Sequence, residues 1–124
     1  METKYLGKGI NRPIDDLDTF PAAEGIEKVT MISDEVTSFC PVTGQPDYYT
    51  IKIEYVPDKL CIESKSLKLY LWHFRDMSIF CETLPVTIRN KIMELVAPKA
   101  CRVTAIQKAR GGITIEAVSG HLDD

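Results

Sequence analysis

Tyr49, Ile51, Ile53 and Tyr55 alternate with Thr50, Lys52 and Glu54. A period of two puts the aromatic and branched residues on one face of an extended chain and the polar ones on the other, so this stretch predicts a strand in a sheet with one buried side. Pro57-Asp58 ends it. The preceding run, from about Lys28 to Phe39, is compatible with a partner strand through Val29, Met31, Ser33 and Val36, with an irregularity near Asp34-Glu35. Between the two runs, Pro41, Gly44 and Pro46 are residue types that fix φ or permit positive φ and so reverse a chain. The two runs therefore predict a long antiparallel hairpin with Cys40 and Asp47 at its tip.

After the hairpin the period changes. Leu67, Tyr70, Leu71 and Phe74 form a helical stripe, with Ser64 or Ser66 available as N-cap. A second helix is expected from Pro85 to Ala97, with Ile88, Ile92, Leu95 and Val96 on one face; Pro85 suits the first helical position and Pro98 marks the stop. Val103, Ala105 and Gln107, then Ile113, Ile115 and Ala117, suggest two last strands joined across Ala109-Arg110-Gly111-Gly112. The order strand, strand, helix, helix, strand, strand implies an α+β fold: a four-stranded antiparallel sheet with two helices on one face. Such a sheet keeps two open edges and one uncovered face, for which self-association is a natural solution.

Residues 1–25, rich in Gly, Pro and Asp, read as an extended N-terminal arm outside the core, which Leu17 and Phe20 could dock; residues 26–119 form the domain and 120–124 a frayed tail. A formal charge of −3 argues against a nucleic-acid or anionic-membrane surface. No apolar run reaches spanning length and no signal peptide is evident, so a cytoplasmic protein with reduced cysteines is expected. Cys40, Cys61, Cys81 and Cys101 share no flanking pattern, and His73 and His121 have no partner at ligand spacing, so no metal site is expected.

Two stretches suggest chemistry. If the hairpin pairs Cys40 directly with Asp47, their Cβ atoms stand roughly 4.5–5.5 Å apart. Two negative charges about 4 Å apart repel by roughly 4 kcal/mol at an effective dielectric near 20. The pair should then share one proton, and a thiolate beside a carboxylic acid can attack an unsaturated carbon while protonating the attached atom. The alternative is a small buried cysteine beside a turn-forming Asp. Glu63, Ser64, Lys65 and Lys68 gather at the first helix's start, where free N–H groups and lysines suit a phosphate, or where solvated lysines simply follow a capped helix.

Together, Phe-Cys-Pro-Val-Thr-Gly-Gln-Pro-Asp at 39–47 and Glu-Ser-Lys-Ser-Leu-Lys-Leu-Tyr at 63–70 resemble the NADPH-dependent nitrile reductases of queuosine biosynthesis, the 7-cyano-7-deazaguanine reductases in their short single-module form. The resemblance spans about Phe20 to Ala117. It implies the tunnelling fold and a homo-oligomer, a pentameric ring or decamer, with sites between subunits. It implies that Cys40 adds to the nitrile carbon of a deazapurine to give a covalent thioimide, that Asp47 donates the proton to nitrogen, and that NADPH is the cofactor. Ile62, Glu63, Ser64, Cys81 and Glu82 match substrate-binding positions; Ser64, Lys65, Lys68, Arg110 and Gly111 match cofactor-binding ones. Transfer RNA is not a direct partner in this reading, although the product serves its modification.

One departure stands out: Cys81 occupies the place before the substrate glutamate where many members carry His. A thiol is a poor proton donor near neutral pH, so a role of that His in proton transfer does not carry over. A Cys81 thiol lying in the pocket could instead be linked to Cys40 by mild oxidation. Two other readings differ in chemistry: an archaeosine-type, amidine-forming enzyme acting on the same nitrile, and a non-catalytic module of the same fold that binds a purine or pterin.

Overall fold

The structure, a computed structural model, describes residues 3–123. Met1 and Glu2 of the expected arm and Asp124 of the expected tail lie outside the described residues. Strands β1 (Thr19–Pro21), β2 (Val29–Phe39), β3 (Pro46–Val56) and β4 (Leu60–Ile62) precede helices α1 (Ser64–His73) and α2 (Leu84–Leu95), followed by β5 (Ala100–Arg110) and β6 (Ile113–His121). The four long strands form an antiparallel sheet in the order β2-β3-β5-β6. This is the expected α+β architecture, with a small β1–β4 sheet added beside it.

The period-two pattern does what it predicts. Tyr49, Ile51, Ile53 and Tyr55 on β3 are buried with Val103 and Ala105 on β5, under Leu67, Tyr70 and Phe74 from α1 and the turn after it and Ile88 and Ile92 from α2. Full burial of such side chains is worth about 1.5–3 kcal/mol each, so this layer is the main stabilising term. Two extra residues interrupt the ladder. From Ser33 to Val36 strand β2 advances three residues while β3 advances two, and from Gln107 to Arg110 strand β5 does the same against β6. Each is a bulge, and a bulge exchanges which face the following side chains take. The first returns Val36 and Ser38 to the helix side. The second turns Arg110 to that side, the face Asp47 occupies.

Four boundaries differ from expectation. The arm is not peripheral: Ile14 and Leu17 are buried, and β1 pairs with β4. The buried Asp18 carboxylate accepts the Lys4 and Tyr5 N–H groups at 2.8 and 2.7 Å, while its own N–H donates to the Ser66 hydroxyl at 2.9 Å. Neither Ser64 nor Ser66 caps α1; Glu63 does, accepting from the Lys65 and Ser66 N–H groups at 2.7 and 2.8 Å. Helix α2 begins one residue before Pro85 and ends at Leu95, because Ala97 takes a left-handed φ of 50°. The tail expected to fray from 120 instead continues β6, with Gly120 opposite Arg102 and His121 opposite Cys101.

Gly120 is required where it stands. Its φ is +86°, and a Cβ there would collide with the Arg89 Nε and the Cys101 carbonyl, which are themselves hydrogen-bonded at 2.9 Å. A Gly120→Ala variant is expected to lose about 1–3 kcal/mol of stability, read as a lower denaturant midpoint with an unchanged slope.

Candidate active site

The hairpin tip is built by its backbone. The Cys40 N–H donates to the Gln45 carbonyl and the Gly44 N–H to the Cys40 carbonyl, both at 2.9 Å, and Gly44 supplies the φ of +71° that this closure needs. The tight loop folds the Val42 and Thr43 N–H groups back toward the Cys40 thiol. Together with the Thr43 hydroxyl and Arg110, and against a smaller effect of burial, they lower the thiol from its ordinary value to about 7, the Thr43 N–H contributing most.

Asp47 sits elsewhere than directly opposite. It pairs with Ser38, and Phe39 with Pro46, so Cys40 stands one step past the ladder and is a diagonal neighbour of Asp47. In a regular ladder that step is roughly 7–8 Å. The direct pairing behind the shared-proton expectation is therefore corrected. A cation occupies the place assigned to the proton: Arg110 Nη2 lies 2.8 Å from Asp47 Oδ1, and Arg110 Nη1 lies 3.5 Å from Gln45 Oε1. The same guanidinium donates toward Cys40. Asp47 is 6% exposed, and Arg110 is its only salt-bridge partner among the described residues.

Behind the pair, the Ser38 hydroxyl donates to the Tyr49 hydroxyl at 3.3 Å, and burial raises the Tyr49 phenol. Cys81 lies in the linker between the helices and is 2% exposed. Its thiol is turned to the Ala105 and Ile115 carbonyls, and burial, then the Glu82 and Asp47 charges, push it up to about 11. A disulfide to Cys40 would require it to leave that position. Glu82 next to it is exposed.

Cys40, Asp47, Arg110, Gly111, Cys81 and Glu82 thus gather at one end of the sheet. Ile62, Glu63, Ser64 and Lys65 lie toward the other, where Val56 pairs with Ala100 and the Ile62 N–H donates to the Tyr55 hydroxyl at 2.8 Å. Nine residue steps along β3 lead from Asp47 to Val56, roughly 30 Å of extended chain, so one chain does not bring these two groups together. Glu63 is buried and both its oxygens cap α1, which uses the Lys65 and Ser66 N–H groups that a phosphate would need. Lys65 Nζ donates to the Tyr5 carbonyl at 3.0 Å.

Ser64 and Lys68 line a cleft of about 760 Å³ between α1 and the open edge of β2, with Trp72 and Arg75 farther along its wall. Sequence reasoning missed Trp72 and Arg75, along with Val42, Thr43 and Ser38. The Thr43-Gly44 turn was the available signal for the loop donors, and the i, i+4 spacing of Lys68 and Trp72 for the cleft wall.

The family model described as QueF-like protein matches residues 46–123. The chain belongs to this family. A QueF-family relative from Chlorobium phaeobacteroides, an NADPH-dependent 7-cyano-7-deazaguanine reductase, is 48% identical over 86 residues, covering 69% of this chain and 73% of its own. One of the same name from Alkalilimnicola ehrlichii is 43% identical over 112 residues, 89% of this chain and 87% of that one. An alignment that long leaves too few residues at either end to exclude Cys40. The solved archaeosine synthase QueF-Like in its apo form superposes with a TM-score of 0.74 at 23% identity, over 78% of this chain and 95% of that one. That likeness places the QueF chain in the same fold, the tunnelling fold that its sequence resemblance implies.

The thiol shift gives a direct expectation. Because the folded value is depressed to about 7, the thiolate is lost as pH falls through 7 and is full above it. Iodoacetamide should alkylate Cys40 with a half-maximal rate near pH 7, while the buried Cys81 should stay unlabelled across the range.

Proposed function

We propose that this QueF-family chain is an NADPH-dependent reductase that converts 7-cyano-7-deazaguanine to its 7-aminomethyl product in queuosine biosynthesis. The observation that carries the reading is a thiol held near its ionisation point at a hairpin end, with a buried carboxylate one diagonal step away. The Cys40 thiolate adds to the nitrile carbon, one C–N π bond becomes a lone pair on nitrogen, and Asp47 supplies the proton that nitrogen takes. The product is a thioimide on Cys40. Two molecules of NADPH, bound in turn, would each supply one hydride; with one further proton from solvent these would carry the carbon to the amine oxidation level and free the thiolate.

The chain's own residues fit that cofactor through side chains rather than helix amides. Glu63 already fills the α1 amides, so phosphates would be held by Lys68 and Arg75 in the cleft, with Lys65 after it leaves the Tyr5 carbonyl and Trp72 offering a flat face. Ser64 borders the same cleft, and Arg110-Gly111 approach from the sheet's other end. Glu82, exposed beside the site, has two acceptor oxygens for the adjacent N–H donors of a guanine-like edge. Ile62 and Glu63 act at the α1 end by shaping its start.

Because the two groups of residues lie at opposite ends of one sheet, a complete site requires a second copy. A ring of chains, pentameric or stacked as a decamer, sets the α1 end of one against the hairpin tip of the next. Strands β2 and β6 are the free edges available for such joining. The four free cysteines and net charge of −3 agree with a cytoplasmic enzyme acting on the free base rather than on nucleic acid.

Adding 7-cyano-7-deazaguanine to the protein with NADPH should produce a mass adduct on Cys40 and loss of NADPH absorbance. Adduct without NADPH loss would point to amidine chemistry, and no adduct to a binding module. Cys40→Ala should abolish adduct and turnover, and Asp47→Asn should impair turnover more than binding; wild-type turnover in Cys40→Ala would refute the nucleophile. Glu82→Gln turns one acceptor into a donor and should weaken substrate binding by about ten-fold or more, measured by calorimetry.

A further inference from the structure

Val103 and Ala105 of β5 are buried on the helix side of the sheet, and Gln107 continues their row, set between Tyr49 of β3 and Ile115 of β6. Alternation reserves that position for an apolar side chain. Gln107 is nonetheless 8% exposed, and no hydrogen bond holds its side-chain amide among the described residues. The polar groups around it are committed to other partners: the Ser38 hydroxyl to that of Tyr49, Asp47 to Arg110, and the Cys81 thiol to the Ala105 and Ile115 carbonyls. A buried amide left without a partner costs about 1–3 kcal/mol, so a fold rarely keeps one without use for it. The Tyr70 hydroxyl is the only partnerless side-chain polar atom closed off from solvent among the described residues, so the Gln107 amide keeps an opening.

The linker between the helices sets what that amide can meet. The Phe39 N–H donates to the Met77 carbonyl at 2.9 Å and the Ile79 N–H to the Phe39 carbonyl at 3.1 Å, which lays the linker along the end of β2 beside Cys40. Two residues on, Cys81 rests against Ala105 and Ile115, and the Gln107 backbone N–H is turned toward its sulfur. Glu82 follows and is exposed, so its carboxylate and the Gln107 amide border the same end of the sheet as Cys40 and Asp47. The Cys81 thiol is a weak donor and faces backbone, which leaves Gln107 as the neutral donor on this side. We propose that Gln107 is a specificity-determining residue that donates its amide N–H to the ring carbonyl of the substrate base, beside the two N–H groups that Glu82 accepts. A guanine-like edge presents one acceptor followed by two donors, and an amide beside a carboxylate complements that order. An adenine-like edge puts an amine where the carbonyl stands and sets donor against donor. The inference rests on the reductase reading and names what selects the base at that site.

Two probes without a nitrile, 7-deazaguanine and 6-thio-7-deazaguanine, read this contact free of covalent chemistry. Both keep the N–H groups that Glu82 accepts, but sulfur is a weaker acceptor than oxygen. Calorimetry on the assembled wild-type protein should show the oxo base binding about three- to ten-fold tighter than the thio base. Gln107→Met keeps the length of the side chain and removes the amide. It should bring that ratio close to one by weakening the oxo base, with a denaturant midpoint no lower than that of wild type, because an unpaired polar group is lost. Glu82→Gln should weaken both bases alike. Should Gln107→Met fail to fold, Gln107→Glu is near-isosteric, turns an acceptor toward the carbonyl and should abolish the preference as well. A wild-type ratio near one, an unchanged ratio in the folded Gln107 variant, or an equal loss of both bases there would each overturn the proposal. Wild-type protein that binds neither base and consumes no NADPH with the nitrile would sink the reductase reading and the proposal together, whereas normal turnover alongside an unchanged ratio would sink the proposal alone.

Discussion

A sheet has two faces, and in this protein a single added residue decides which face carries the Asp47–Arg110 pair. Antiparallel pairing forces side chains to alternate, so a one-residue slip moves every later side chain across the sheet. The β2 bulge corrects the strand so that Ser38 faces the core side opposite Asp47, and the β5 bulge brings Arg110 to the same side instead of leaving it outward with Lys108. Without the second bulge, Asp47 would be a buried carboxylate lacking the salt bridge it has here, an arrangement that costs several kcal/mol. The cation beside the hairpin tip, and its small share in lowering the Cys40 thiol, depend on this parity.

The division of the site follows from the same topology. Strands that meet in hairpins put their turns at one end of the sheet, while the crossover through β4 must start the first helix at the other. Helix α1 therefore begins far from Cys40, and no local rearrangement of one chain could bring Lys65 to Asp47. The helix start is also already occupied: Glu63 neutralises it, Ser66 ties it to Asp18, and Lys65 holds Tyr5. Its amides are committed to structure, so in the function proposed above the anion would be held by Lys68 and Arg75, which line the cleft wall.

The parts of this arrangement written in periodic patterns were legible in the chain. The alternation at Tyr49 to Tyr55, the break near Asp34-Glu35, the Leu67–Phe74 stripe and the Gly111-Gly112 turn each reported an element that exists. What could not be read is set by single contacts between distant residues. Nothing in the composition of residues 3–22 announces that Asp18 will bind two backbone amides. Glu63 was overlooked as a cap because Ser64 and Ser66, the commoner capping types, stand beside it. The diagonal placement of Cys40 and the intrusion of Arg110 depend on where the ladder stops and where the second bulge falls, and alternation alone fixes neither. Family membership follows from similarity over most of the chain; the contacts at the hairpin tip rest on those local departures.

Asp18 has a practical consequence for anyone preparing this protein. Its carboxylate is 4% exposed and is satisfied by the amides of residues 4 and 5. Trimming the chain back past Tyr5 to remove a segment that looks dispensable would discard almost no oily surface, yet would strand a desolvated anion beneath the start of α1. A tag is better joined ahead of Lys4 than put in place of Lys4 and Tyr5.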